Sequence, residues 1–269
     1  MSPRSSPLWL RFLSYSIYGF LYLPIVLIII YSFNQARFGL AWTGFTLKWY
    51  TLLFHDDLIL LAVKNTLLLG MISTGVSTLL GTLLAYGLHR YRVPGKQLFQ
   101  SAMYLPVVIP DIVMAITLLL FYKLVRYYTG LFELGMTTMI LAHVTFQISF
   151  VAIVVRSRLA SLDPSLEEAA HDLYADSWAT VRHVTLPAIW PGIVAGALLA
   201  FTLSIDDFVI SFFTSGPEST TLPILIYSTV RRGVTPEINA LSTLIIAATF
   251  GIIVAAQARW SKMGKTQKY

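Results

Sequence analysis

The sequence predicts an all-α integral membrane protein with six transmembrane helices. Two observations carry that prediction. The 269 residues are 56% hydrophobic and only 12% charged, whereas soluble domains carry about 25% charged residues. The mean hydropathy is +0.71. The apolar residues also fall into six continuous runs, at 12–33, 59–88, 98–122, 136–156, 188–213 and 239–258. Each run has roughly the 20 residues of helix that cross a bilayer. Lipid cannot satisfy exposed backbone groups, and runs that are continuous rather than alternating point to helices instead of a barrel.

The first run follows Arg4 and Arg11. It is too long for a signal-peptide core and no small-residue cleavage pattern closes it, so it reads as a retained span. An outer loop, 34–58, is rich in aromatics: Phe38, Trp42, Phe45, Trp49, Tyr50 and Phe54. The third run holds Pro106 and Pro110, which should kink it. The fourth holds His143 and Gln147, four apart, which read as an internal hydrogen-bonded pair. In the fifth, Gly192 and Gly196 allow close helix approach. These features divide the chain into a first span with its aromatic loop (1–58), a transmembrane core (59–258) that includes a loop at 157–187, and a basic tail (259–269).

Basic residues set the orientation. With the N-terminus inside, Arg4, Arg11, Arg90, Arg92, Lys96, Arg156, Arg158, Arg182, Arg259, Lys262, Lys265 and Lys268 are cytoplasmic. Arg37, Lys48, Lys64, Lys123, Arg126, Arg231 and Arg232 are external. The excess favours both termini in the cytoplasm. The formal net charge of +6 has the same origin and calls for no nucleic-acid partner.

Acids at membrane depth are costly and functional by default. Ser204, Asp207 and Ser211 lie three and four apart, on one stripe of the fifth run. Asp206 lies about 100° around from Asp207. On a continuous helix Asp207 therefore faces a translocation path, with Asp206 at its margin or against a partner helix. The rival reading is an interhelical ion pair. Asp111, after Pro110, either joins that path or caps a helix broken at the proline. Acids at related depth, with rings such as Trp49 at an outer entrance, suit an organic cation. Trp49 and Tyr50 also fit an interfacial aromatic anchor.

Segment 157–187 is longer than most connections. Asp163-Pro164 predicts a helix start, and Leu166, Ala169, Ala170 and Leu173 fall at helical spacing. Asp176 or Ser177 predicts a second short helix, ended by Pro187. There is no P-loop for ATP, no H-E-x-x-H or G-x-S-x-G pattern, and no cysteine. The chain is not expected to be an enzyme or to hold a metal or cofactor.

Glu168-Ala169-Ala170, with Leu186-Pro187 after it, resembles the coupling loop of permease subunits of ABC importers. The resemblance extends through the stretch from Ala200 to Ser211, Thr214-Ser215-Gly216-Pro217, Thr221-Leu222-Pro223 and Pro110-Asp111-Ile112-Val113. It is most similar to spermidine/putrescine importer permeases, the second permease subunit in particular. It implies a type I importer permease fold with a cytoplasmic coupling helix between spans 4 and 5. Glu167, Glu168, Ala169, Ala170, Leu173 and Tyr174 would dock on an ATPase, and ATP and Mg would be bound by that partner. It further implies a second homologous permease, two ATPase copies, a periplasmic polyamine-binding protein and a bacterial cytoplasmic-membrane location. Other importer cargoes, such as ferric iron or thiamine, are the near alternatives; a channel or secondary transporter would not need the loop. Where the family carries glycine, this chain carries Tyr174, which must either adopt the glycine backbone or reshape the turn.

Overall fold

The computed structural model describes residues 8–36, 41–91 and 94–266. Arg4, Arg37, Arg92 and Lys268, used above for topology, and Phe38 of the aromatic loop lie outside them. The described residues are helical, with no strand beyond one isolated bridge, Asn34 to Phe45. The chain divides into two compact units, Met1–Leu60 with Ile226–Tyr269, and Leu61–Leu225.

In the first unit, α1 (Leu8–Tyr31) packs against α12 (Pro236–Thr266), and so does the short α2 (Lys48–Leu53). No residue of α1 is buried, which for so apolar a helix requires lipid as solvent. The aromatic loop is ordered around Asn34. Its side-chain amide donates to the Ala41 carbonyl at 2.8 Å and accepts from the Thr43 N–H at 3.0 Å. Phe33 stacks on Phe45 with ring centroids 5.3 Å apart.

The second unit holds α3 (Asp57–Arg90, from residue 61 on), α4 (Lys96–Val108), α5 (Asp111–Thr129), α6 (Met136–Ala160), α7 (Ser165–Asp172), α8 (Ser177–Thr180), α9 (Leu186–Asp206) and α10 (Val209–Thr214). The helix α11 (Leu222–Val230) begins at its far end. The centre is α6, of whose most apolar window 61% is buried. Val151, Ala152 and Val155 of α6 pack with Ile189, Ile193 and Ala200 of α9 and with Ala85 and Leu88 of α3. That layer needs backbones in close approach. A Cβ on Gly81 would lie 2.8 Å from the Val151 Cβ, and one on Gly192 2.8 Å from the Arg158 Cβ. The Gly192/Gly196 pair is thus a packing device between α9 and α6.

Two expectations change, and the six-span count is met in part. Five helices among the described residues are long and apolar enough to cross a bilayer. The sixth expected span, 239–258, lies within α12, which continues as helix to Thr266. The third expected span is broken at Pro110, the alternative weighed with Asp111, rather than kinked: Ile109 and Pro110 are extended, with ψ of 130° and 136°. Proline disfavours the α conformation of the residue before it, and its missing N–H stops the ladder. At 13 residues, α4 is only about 20 Å long, so the span is carried by α5. Finally, Pro187 does not end the helix before it. Helix runs from Ser177 to Asp206 through a π-turn at Val181–Thr185. There the Leu186 N–H bonds to the Val181 carbonyl, a shift of register that tolerates a proline one residue on.

Candidate functional site

A cavity of about 320 Å³ opens in the second unit where three helix ends converge, the start of α5, the end of α9 and the start of α10. Asp111, Asp206 and Asp207 line it together with Phe146, Phe150 and Phe208. The fifth expected span, 188–213, is interrupted here. Asp207 is extended, with φ −67° and ψ 122°, and α10 begins only at Val209. The 100° offset counted for a continuous helix therefore does not apply.

The break separates the two neighbouring acids. Asp206 is exposed at the end of α9, as is Asp111 at the start of α5. The Asp207 side chain is only 10% exposed. Its Oδ1 accepts the Ile210 N–H at 3.2 Å and its Oδ2 the Ser211 N–H at 2.8 Å, so it caps α10. Its Oδ2 also lies 3.3 Å from His143 Nε2.

His143 is fully buried. Its Nδ1 is 2.8 Å from Ser204 Oγ and its Nε2 3.0 Å from Ser211 Oγ. Ser204 and Ser211 consequently face α6 and are not among the residues lining the cavity. His143 and Gln147 do not pair with each other. Gln147 accepts from Ser77 Oγ at 3.0 Å and donates to the Ala200 carbonyl at 3.1 Å. The group that faces Asp207 from a neighbouring helix, the place the rival reading gave to an ion-pair partner, is this histidine, which was expected to pair with Gln147 instead. The signal was present: polar residues four apart on the fourth run matching a polar stripe three and four apart on the fifth.

Trp49, expected at an outer entrance, lies in the first unit with 4% of its surface exposed. Its Nε1 donates to the Asn34 carbonyl at 2.7 Å, a bond that anchors the loop.

The loop 157–187 carries the expected helix as α7. Asp163 accepts the Ser165 N–H at 3.0 Å, and that bond holds its carboxyl below the usual carboxylate range. Glu167 turns inward. Its Oε2 meets Arg90 at 2.8 Å and its Oε1 accepts from Thr185 Oγ1 at 2.7 Å. The end of α3 and the π-turn are thus both tied to α7. Ala170 is buried, while Glu168, Ala169, Leu173 and Tyr174 are exposed. Tyr174 adopts the left-handed backbone, φ 62°. Its N–H bonds to the His171 carbonyl and the Ala175 N–H to the Ala170 carbonyl, the helix-ending motif in which glycine is usual.

Tyrosine there is strained, and the residue is 97% exposed. Tyr174→Gly is expected to stabilise the turn by about 1 kcal/mol, slowing hydrogen exchange of the Ala175 amide roughly fivefold. Unchanged exchange would mean that the ring offsets the strain.

The family of binding-protein-dependent transport system inner membrane components matches this chain over residues 77–261. The chain belongs to that family. Two curated relatives in Escherichia coli (strain K12) extend the match to nearly the whole chain. It is 41% identical over 253 residues to the spermidine/putrescine transport system permease protein PotC, covering 93% of this chain and 94% of that one. It is 43% identical over 253 residues to the putrescine transport system permease protein PotI, covering 93% and 89%. A bacterial ABC transporter involved in the import of the acidic polysaccharide alginate shares the fold, with a TM-score of 0.74, 21% identity and 95% of each chain covered. As an inner membrane component of this family, the protein is a transport subunit rather than an enzyme.

Proposed function

We propose that this chain is one permease subunit of an ATP-driven importer that carries polyamines across the cytoplasmic membrane into the cell. The observation that carries the reading is the cavity itself, where exposed Asp111 and Asp206 stand beside Phe146, Phe150 and Phe208. Carboxylates match ammonium groups, and rings and alkyl walls match the methylenes between them. The two relatives named for spermidine and putrescine transport support the same cargo.

In this reading a second, homologous permease completes the path and two copies of an ATPase, holding ATP and Mg, dock on the exposed face of α7. A periplasmic binding protein delivers the amine. Glu167 then acts as a strut: motion of α7 reaches α3 and α9 through Arg90 and Thr185. The test is uptake of labelled putrescine and spermidine by vesicles carrying the complete complex. ATP-dependent uptake of either supports the reading, and uptake of neither overturns it.

Both termini lie in the cytoplasm in this proposal. The chain contains no cysteine, and His55 and Asp172 are both exposed. In intact cells, an impermeant thiol reagent is expected to label His55→Cys and to leave Asp172→Cys unlabelled. The reverse pattern would invert the topology.

A further inference from the structure

His143 stands one side chain behind the cavity wall. Its ring lies 5.5 Å from that of Phe146, which lines the cavity. From α6 the imidazole reaches Ser204 in the last turn of α9 at 2.8 Å, Ser211 of α10 at 3.0 Å, and Asp207 at 3.3 Å. A single ring therefore bridges the α9–α10 break. Ser204 also lies 3.2 Å from Ser73 of α3, so the ring's position is fixed from three helices. Both oxygens of Asp207 already hold internal N–H groups. Asp111 and Asp206, on the same cavity, are exposed.

We propose that His143 sets the amine selectivity of this cavity. It engages the Asp207 carboxylate across the break and leaves two carboxylates, Asp111 and Asp206, for the two ammonium groups of a diamine. The proposal rests on the polyamine reading above. Ionisable groups at membrane depth that pair with one another are withdrawn from other partners, and a carboxylate that accepts two N–H groups and has an imidazole 3.3 Å away has little left for an ammonium. Releasing Asp207 adds a third carboxylate and favours a triamine over a diamine.

The experiment uses the complete complex in vesicles, with binding protein saturated by putrescine or by spermidine. The readout is the ratio of maximal uptake rates per assembled complex. His143→Gln keeps an amide but removes one ring nitrogen and the imidazole's capacity for charge. It is expected to lower the putrescine-to-spermidine ratio about tenfold, the weight of one charge-assisted contact. Adding Asp207→Asn to it makes a neutral amide pair, which is expected to restore the ratio to within about twofold of the unaltered complex.

A purely structural histidine would change yield, melting and both amines together. An unchanged ratio in His143→Gln therefore overturns the proposal. So does a double variant whose ratio stays as low as that of the single one, because the shift would then not run through the Asp207 carboxylate. If His143→Gln does not assemble, the double variant decides by the same ratio, and failure of both assigns the pair to packing and overturns the proposal. An unaltered complex that transports neither amine sinks the polyamine reading and this one with it.

Discussion

Asp206→Asn is expected to lower ATP-driven polyamine uptake tenfold or more while leaving the complex as stable as before, or slightly more so. The substitution keeps size and removes charge. A hydrogen bond to a charged group contributes about 1.5–3 kcal/mol, and about 1.4 kcal/mol is a factor of ten. The stability side follows from position. Asp206 is the last residue of α9, where helix carbonyls already present negative charge. An acid there opposes the macrodipole by about 0.3–1 kcal/mol, so it does not serve the helix. Asp111, at the first position of α5, is favourably placed for the dipole. Asp111→Asn is therefore expected to lose uptake and some helix stability together, which makes Asp206 the cleaner test. The measurement is initial uptake in vesicles at matched amounts of complex, beside its melting temperature. Normal uptake by Asp206→Asn would remove the acid from the substrate's path.

The helical membrane class was legible because hydropathy reports solvent, and five of the expected runs coincide with helices of spanning length. Helix breaks were legible only where a proline marked them, for a physical reason. The runs through Ile109-Pro110 and Asp207-Phe208 are apolar on both sides, so hydropathy is continuous where the backbone is not. Pro110 gave warning of the first break, but the second has no proline or glycine and is held by Asp207 capping α10. Once α9 ends, residues 206 and 207 no longer share a helical phase, and the acid expected on the path proved to be the more buried one. Glu167 illustrates a different limit. The family resemblance put it among the residues that dock on an ATPase, but only tertiary structure shows Arg90 and Thr185 beside it. Tyr174 is the opposite case: the family's glycine and the sterics of an L side chain leave two backbones open to it, and its φ of 62° selects the first.

Ala169→Asp is expected to uncouple the transporter without unfolding it. Ala169 lies on α7 beside buried Ala170 but is itself exposed, so a longer side chain there displaces nothing within this chain. Aspartate in place of alanine lowers helix propensity by at most about 0.7 kcal/mol. Docked in an ATPase groove, the same side chain would carry an unpaired charge out of water, at a cost of several kcal/mol. The second effect exceeds the first severalfold, so the loss should appear at the interface and not in the fold. Substrate-stimulated ATP hydrolysis is expected to drop by about a hundredfold or more, as about 3 kcal/mol implies, with copurified ATPase falling in parallel. Ala169→Ser, small and neutral, should stay near the unaltered rate. Normal copurification and stimulation in Ala169→Asp would show that this face of α7 is not where the motor docks. The strut from Glu167 to Arg90 and Thr185 would then join the spans to a loop that receives its motion from elsewhere.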